Sequence, residues 1–308
     1  MDTLSFVLAS AIASATPVLL AAQGELLAER SGILNLGVEG MMLVGALTGF
    51  VVTNATGSTL LGVGGAAAAG AGLALVHALF TITLRANQIV TGLALTILGS
   101  GLSSLFGQGS VGRPPRATIG DAQIGPLADI PFVGPIMFDQ SPFFYFAVVL
   151  TAGIALFLRE TRPGLVLRAL GERPEAVDVF GMPVAQLRYI YVVVGGALSG
   201  VGGAALSLSF TPSWVENMTA GRGWIAIALV IFALWRPWWV LGGAILFGAA
   251  DSLGFVLQEQ GTSINSYVLA MLPYILTLVV LAVVGRAALR RRLGVPSALG
   301  VAYDRERR

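Results

Sequence analysis

Residues 29–45 read ERSGILNLGVEGMMLVG. A charged pair, Glu29 and Arg30, opens the stretch, and the apolar run behind it carries an amide at Asn35, glycines at Gly37 and Gly40, and a carboxylate at Glu39. On a helix, Asn35 and Glu39 are four residues apart and share a face, with Met42 three further on. A charge at mid-bilayer costs roughly 2.5–3.5 kcal/mol or more, so that face is expected to look into protein or into a passage, not into lipid. Asn35, Glu39 and Met42 are therefore candidate pathway residues. The competing role for Glu39 is a tie between its helix and a neighbour.

The rest of the chain fits that setting. Hydrophobic residues make up 56% of the 308 and charged residues 11%, with a mean hydropathy of +0.83, whereas soluble domains carry about 25% charge. The expected fold class is all-α, a polytopic helical membrane protein with short loops. No stretch between apolar segments exceeds about 35 residues, too short for a core of its own, so residues 1–308 form one membrane domain.

Every one of the 18 basic residues is arginine, cysteine is absent and His77 is the single histidine. Thiolate metal sites and disulfides are excluded, and no cofactor is expected. The pI near 9.3 comes from arginines that flank apolar runs. A positive-inside bias accounts for them with lipid as neighbour and no nucleic acid. Met1-Asp2-Thr3 lacks the basic n-region of a signal peptide, so the first apolar run is expected to be a retained span.

About nine spans (eight to ten) are expected from the apolar runs: residues 4–22, 33–52, 60–84, 89–106, 143–158, 189–208, 224–234, 240–257 and 267–285. Residues 23–31 read as a polar turn, and the Gly/Pro-rich residues 107–141 as an external loop. Residues 162–186 read as a charged cytoplasmic loop, and 286–308 as a basic cytoplasmic tail. The seventh run is short for a bilayer, and Trp235, Trp238 and Trp239 after it suggest a headgroup-level belt. With the tail inside, 15 of the 18 arginines are cytoplasmic and only Arg113, Arg116 and Arg222 external, so the N-terminus is expected outside.

Small residues recur at spacing four, as in Gly45 with Gly49, Gly196 with Gly200 and Ser199 with Gly203; they let helix backbones approach closely. Asp251 is the other acid at depth, suited to a salt bridge or helix-packing hydrogen bond, and also a pathway candidate. His77, with no acid or second histidine at ligand spacing, suits an interhelical hydrogen bond. In residues 171–182, GERPEAVDVFGM, Pro174 opens a short helix with acids near its start and Gly181 as its stop. Its apolar side, Val177 with Val179 or Phe180 and Met182, needs a cover: a membrane surface or a partner protein.

The opening stretch closely resembles the second-span motif of ABC-importer permeases in the branched-chain amino acid and ribose permease superfamily, nucleoside or simple-sugar branch. Residues 171–182 resemble that family's coupling loop, and further likenesses lie in GPLADIPFVGP (125–135), GRGWIAIA (221–228) with Trp235-Arg236-Pro237, and FGAADS (247–252). The resemblance implies a non-enzymatic transport subunit in the bacterial cytoplasmic membrane, with nucleosides or simple sugars as cargo. It implies three partners: a separate ABC ATPase subunit, a second homologous permease forming a heterodimer, and an extracytoplasmic substrate-binding lipoprotein. It also implies that Gly171, Glu172, Pro174, Glu175, Ala176, Val177 and Gly181 couple to the ATPase. Arg173 and Phe180 depart from the usual small or amide residues of that loop.

The chain has no GxxxxGK[ST] phosphate loop, as a separate ATPase requires. The alternative is an ion-coupled secondary transporter, which calls for several mid-membrane ionisable groups and inverted halves. An intramembrane hydrolase lacks a GxSxG elbow and has only His77 as a base for the Gly99-Ser100-Gly101 serine.

Overall fold

The computed structural model describes residues 3–259, 264–291 and 294–303. Among them the chain is almost wholly helical: α1 (Thr3–Arg30), α2 (Val38–Thr56), α3 (Thr59–Ala78), α4 (Gln88–Gly107), α5 (Pro142–Glu160), α6 (Arg162–Glu172), α7 (Pro174–Val179), α8 (Val184–Ala205), α9 (Arg222–Phe232), α10 (Pro237–Glu259) and α11 (Ser266–Arg291). Wide helical turns, Leu79–Thr83 and Leu206–Phe210, extend α3 and α8. Caps set several boundaries. Ser58 Oγ accepts the Leu61 N–H at α3, Asn87 Oδ1 accepts from Ile89 and Val90 at α4, and Gly57 ends α2 with φ +72°.

Seven of these helices, α1 to α5, α8 and α10, are long and apolar enough to cross a membrane. Of the other two expected spans, α9 falls short of that measure, with 11 residues, about 16 Å at 1.5 Å per residue; the ninth lies on α11, a helix of 26 residues.

α1, α2 and α8 form the centre. Within their most apolar windows 61%, 67% and 67% of residues are buried, against 28%, 22% and 33% for α3, α4 and α5, which leaves the latter three to face lipid or a partner. Backbones touch where the central helices cross. A Cβ on Gly24 of α1 would lie 2.5 Å from the Gly195 carbonyl of α8, and one on Gly45 of α2 would lie 2.5 Å from Gly200 Cα. The spacing-four residues thus serve packing within the chain.

The structure redraws two boundaries. α1 does not stop at residue 22 but continues to Arg30, because Gln23, Glu25 and Glu29 are buried and find partners inside the bundle. The second helix begins at Val38 instead of residue 33, and residues 33–37 are irregular.

Two ends of the bundle are distinct. At one, the loop of residues 111–141 folds over α1, α2 and α8: Arg116 N–H donates to Asn54 Oδ1, Ile119 N–H to Leu208 O, and Gln140 Nε2 to Ala9 O. A two-residue antiparallel pairing, Ala122–Gln123 with Asp139–Gln140, closes it. At the other end α6, α7 and residues 294–303 pack on the end of α1 and the start of α8. There Ala298 N–H donates to Gly171 O and Gly300 N–H to Gly32 O, Ser297 Oγ to Glu172 at 2.8 Å, and Tyr303 lies against Arg188. Residues 292–293 and 304–308 of the expected basic tail lie outside the described residues.

Gly200→Ala is expected to destabilise the protein by about 1–3 kcal/mol by overpacking, since its Cβ would overlap the Ala66 carbonyl. Gly72→Ala, with no atom within 4 Å, should be neutral or stabilising through helix propensity. Thermal melts of the two detergent-solubilised variants check the contrast.

Candidate functional site

The irregular segment between α1 and α2 is largely buried, and five of its backbone groups are satisfied by side chains from helices around it. Arg188 Nε, from α8, donates to Ser31 O at 3.1 Å. Leu34 N–H donates to Gln88 Oε1 of α4 at 2.7 Å, and His77 Nε2 of α3 lies 3.1 Å from Leu34 O. A carbonyl only accepts, so His77 carries its proton on Nε2. Asn35 N–H donates to Glu25 Oε1 at 3.0 Å, and Thr96 Oγ1 of α4 donates to Leu36 O at 2.9 Å. Irregular backbone at such a place persists only when the protein supplies these partners.

Asn35 and Glu39 do not share a helical face. Asn35 lies ahead of α2, where its Oδ1 accepts the Gly37 N–H at 3.0 Å and its amide turns toward Met41 Sδ; it shapes the turn into the helix. Glu39 sits in the first turn of α2 and reaches the turn preceding α9. It accepts from Thr219 Oγ1 at 2.5 Å, Gly221 N–H at 2.8 Å and Gly223 N–H at 2.6 Å. A carboxylate at the start of α9 satisfies donors that a short helix leaves free and opposes the positive end of its dipole. Met42 is wholly buried in the main apolar cluster.

Asp251, on α10, belongs to a second polar knot. It accepts from Arg222 Nη2 at 3.1 Å and from Ser14 Oγ of α1 at 2.5 Å, and both members of the ion pair are largely buried. Arg222, counted above as external, is thus inside the bundle, one residue from the Glu39 clamp. α1 adds groups that the sequence reading placed in a turn. Gln23 Nε2 donates to Thr151 Oγ1 and Pro237 O, and Glu29 Oε2 accepts from Trp235 Nε1 at 2.5 Å. The 23/25/29 spacing with no proline was the signal that α1 continues.

The same contact relocates Trp235. It is 2% exposed, and both it and Leu234 have positive φ, +54° and +50°, a conformation that costs non-glycine residues energy. The Glu29 bond and Arg30 Nη2, which donates to Trp235 O at 2.9 Å, hold it there. Trp238 and Trp239 are the indoles left outside, 53% and 66% exposed.

The coupling candidates divide into anchors and a protrusion. α6 is capped by Thr161 Oγ1, which accepts the Gly164 N–H. Gly171 lies against the Arg30 carbonyl, Glu172 holds Ser297, and Pro174 and Val177 are buried, Val177 in the main cluster. Glu175 and Ala176 are exposed. Val177 was expected on the exposed apolar side, but one turn of helix carries it onto the core. Val179 and Phe180 stand out instead, 70% and 82% exposed, with Met182 beside them. Gly181 turns the chain away at φ +75°.

Seven helices long and apolar enough to cross a membrane, keyed to one another by buried polar groups, define a multi-pass helical membrane protein. The sequence profile described as branched-chain amino acid transport system / permease component matches residues 7–283, and the chain belongs to that family of ABC transporter permeases. It is 43% identical to a putative glucose ABC transporter permease protein of Haloferax volcanii, over 96% of each chain. It is 33% identical to the guanosine ABC transporter permease protein of Bacillus subtilis, over 97% of this chain and 98% of that one. With the nucleoside ABC transporter permease protein of Lactococcus lactis it shares 34% identity over 98% of both. No solved structure matches the chain significantly.

Glu39→Leu removes the acceptors of three buried donors, at roughly 1–3 kcal/mol each, and is expected to abolish the folded protein. Glu39→Gln keeps one acceptor oxygen and should lower the melting temperature measurably while leaving a folded chain. Yield and thermal melts in detergent check both.

Proposed function

We propose that the chain is the membrane-spanning permease of an ATP-driven importer for nucleosides or simple sugars. What supports the cargo class is near-full-length kinship with permeases named for guanosine, nucleosides and glucose. What supports a coupling element is the exposed apolar end of α7. A bare Phe180 at the tip of a helix whose base is locked into the core suits a groove on an ATPase subunit. Pro174 and Val177 serve as its footing, and Glu175, Ala176 and Gly181 shape the contact. A second homologous permease on the lipid-facing helices and an external substrate-binding lipoprotein complete the proposed assembly. The end carrying α6 and α7 is cytoplasmic, the 111–141 loop and the N-terminus are external, and the host bilayer is the cytoplasmic membrane.

Substitution separates footing from tip. Phe180→Ala should leave a folded, inserted permease that co-purifies with about tenfold less ATPase, since truncating a hot-spot residue costs upwards of about 1–2 kcal/mol. Val177→Asp buries an unpaired charge and should prevent folding altogether. Normal ATPase capture and import by Phe180→Ala would make α7 a membrane-surface helix only.

Sidedness is checked by single cysteines, for which the cysteine-free chain gives no background. Thr56→Cys and Asp129→Cys should react with an impermeant thiol reagent added outside whole cells, whereas Glu175→Cys and Ser297→Cys should react only after lysis. External reaction at position 175 would reverse the orientation and remove the ATPase site.

A further inference from the structure

The end of the bundle under the 111–141 loop holds a cavity of about 220 Å³ between α1, α5 and the wide turn that closes α8. Its wall carries Ser10 and Thr16 from α1, Ser141 at the start of α5, Ser209 and Phe210 from the wide turn, and Asp121 from the loop above. π-type turns of this kind are frequent at functional sites. None of the pathway residues expected from the sequence lines it.

The hydroxyls are fixed in complementary states. Ser209 Oγ donates to Ser141 Oγ at 2.8 Å, and Ser141 Oγ also accepts the Phe143 N–H. Ser141 therefore keeps a free O–H to donate, while Ser209 keeps lone pairs to accept. Thr16 Oγ1 donates to Ile12 O and likewise keeps acceptor capacity. Asp121 adds a carboxylate at the rim. Partial burial, then Asp139, push its pKa up, so a ligand hydroxyl that donates to it replaces lost water and stabilises the charge.

The described lining contains no basic side chain, which disfavours an anionic ligand. Donors and acceptors interleaved beside Phe143 and Phe210 suit a neutral ring that bears hydroxyls on its edge and C–H groups on its face. The volume lies below the roughly 300–1,000 Å³ of sites for drug-sized ligands, so one ring fits. Beyond Phe210 comes the Arg222 guanidinium, 5.6 Å from the ring centroid, and with it the Asp251 knot. The cavity thus stands one aromatic ring away from the buried polar groups.

We propose that this cavity is an external entry subsite that holds the sugar ring of the cargo, either a free monosaccharide or the ribose of a nucleoside. This rests on the reading of the chain as a nucleoside or sugar permease. Ser141 donates to a ring hydroxyl, Ser209 and Asp121 accept from others, and Phe210 covers one face.

Ser209→Cys, in the otherwise cysteine-free permease reconstituted with its partner subunits, gives the test. An impermeant methanethiosulfonate should label the new thiol from outside. D-glucose or uridine, tried separately at about one to nine times its Kd, should slow labelling about 2- to 10-fold, the factor of one plus the ratio of solute concentration to Kd that occupancy of the site gives, whereas leucine should not. Protection by glucose identifies the free sugar as ligand, and protection by uridine alone identifies the nucleoside. Independently, Asp121→Asn should raise the import KM about 2- to 10-fold with maximal velocity and ATPase capture retained. Labelling unaffected by either solute, or slowed equally by leucine, overturns the subsite, as does an unchanged KM for Asp121→Asn. Import by wild-type vesicles is scored separately, so an inactive importer and an absent subsite give different results.

Discussion

A peptide group buried without a hydrogen-bond partner costs several kcal/mol in an apolar medium, and this molecule buries a non-helical peptide segment at its centre. The connection from α1 to α2 exists because Arg188, Gln88, His77, Glu25 and Thr96 each serve one of its backbone groups. These side chains come from four helices, so the connection keys those helices to one another. Helix contacts in such a bundle rest on dispersion and small-residue packing, with little hydrophobic drive between apolar surfaces. The polar staples supply the register that such packing alone would leave loose.

The same logic explains α9. An 11-residue helix has as many uncompensated end groups as a long one, with fewer internal bonds to offset them. Glu39 takes up donors at its start, Thr219 included, and Arg222 immediately follows in a pair with Asp251. A carboxylate from α2, a cation on α9, an acid on α10 and a hydroxyl on α1 are thus linked within a few residues. Moving α9 relative to α2 or α10 would break charged hydrogen bonds, so these helices shift together or exchange partners in discrete steps.

Sequence patterns exposed the long apolar helices, the short helix after Pro174 and the glycine crossings, because each depends on local periodicity or on a run of small residues. They misplaced what depends on tertiary partners. Residues 23–31 look like a turn because Gln23, Glu25 and Glu29 are polar; Thr151, Pro237 and Trp235, distant in sequence, and Asn35 in the next connection make them tolerable in a helix. Asn35 and Glu39 have helical spacing, yet Asn35 spends its oxygen on the Gly37 N–H and the helix begins after it. The cavity beneath the 111–141 loop was illegible for the same reason: its hydroxyls come from three separated segments and none stands in a motif.

The segment of residues 294–303 has a consequence for biogenesis. Its Gly300 N–H meets the carbonyl of Gly32, so the α1–α2 connection is closed by residues that are made only after α11. Until then the α1–α2 connection and Gly171 of α6 lack a neighbour. The membrane helices can insert and pack in order of synthesis, but this end of the protein stays open until residues 294–303 have been made. Contacts of such sequence separation form late and slowly. A chain stalled after α11 would therefore present an inserted bundle with its α6–α7 end open, a state that quality control could distinguish from one in which residues 294–303 have docked.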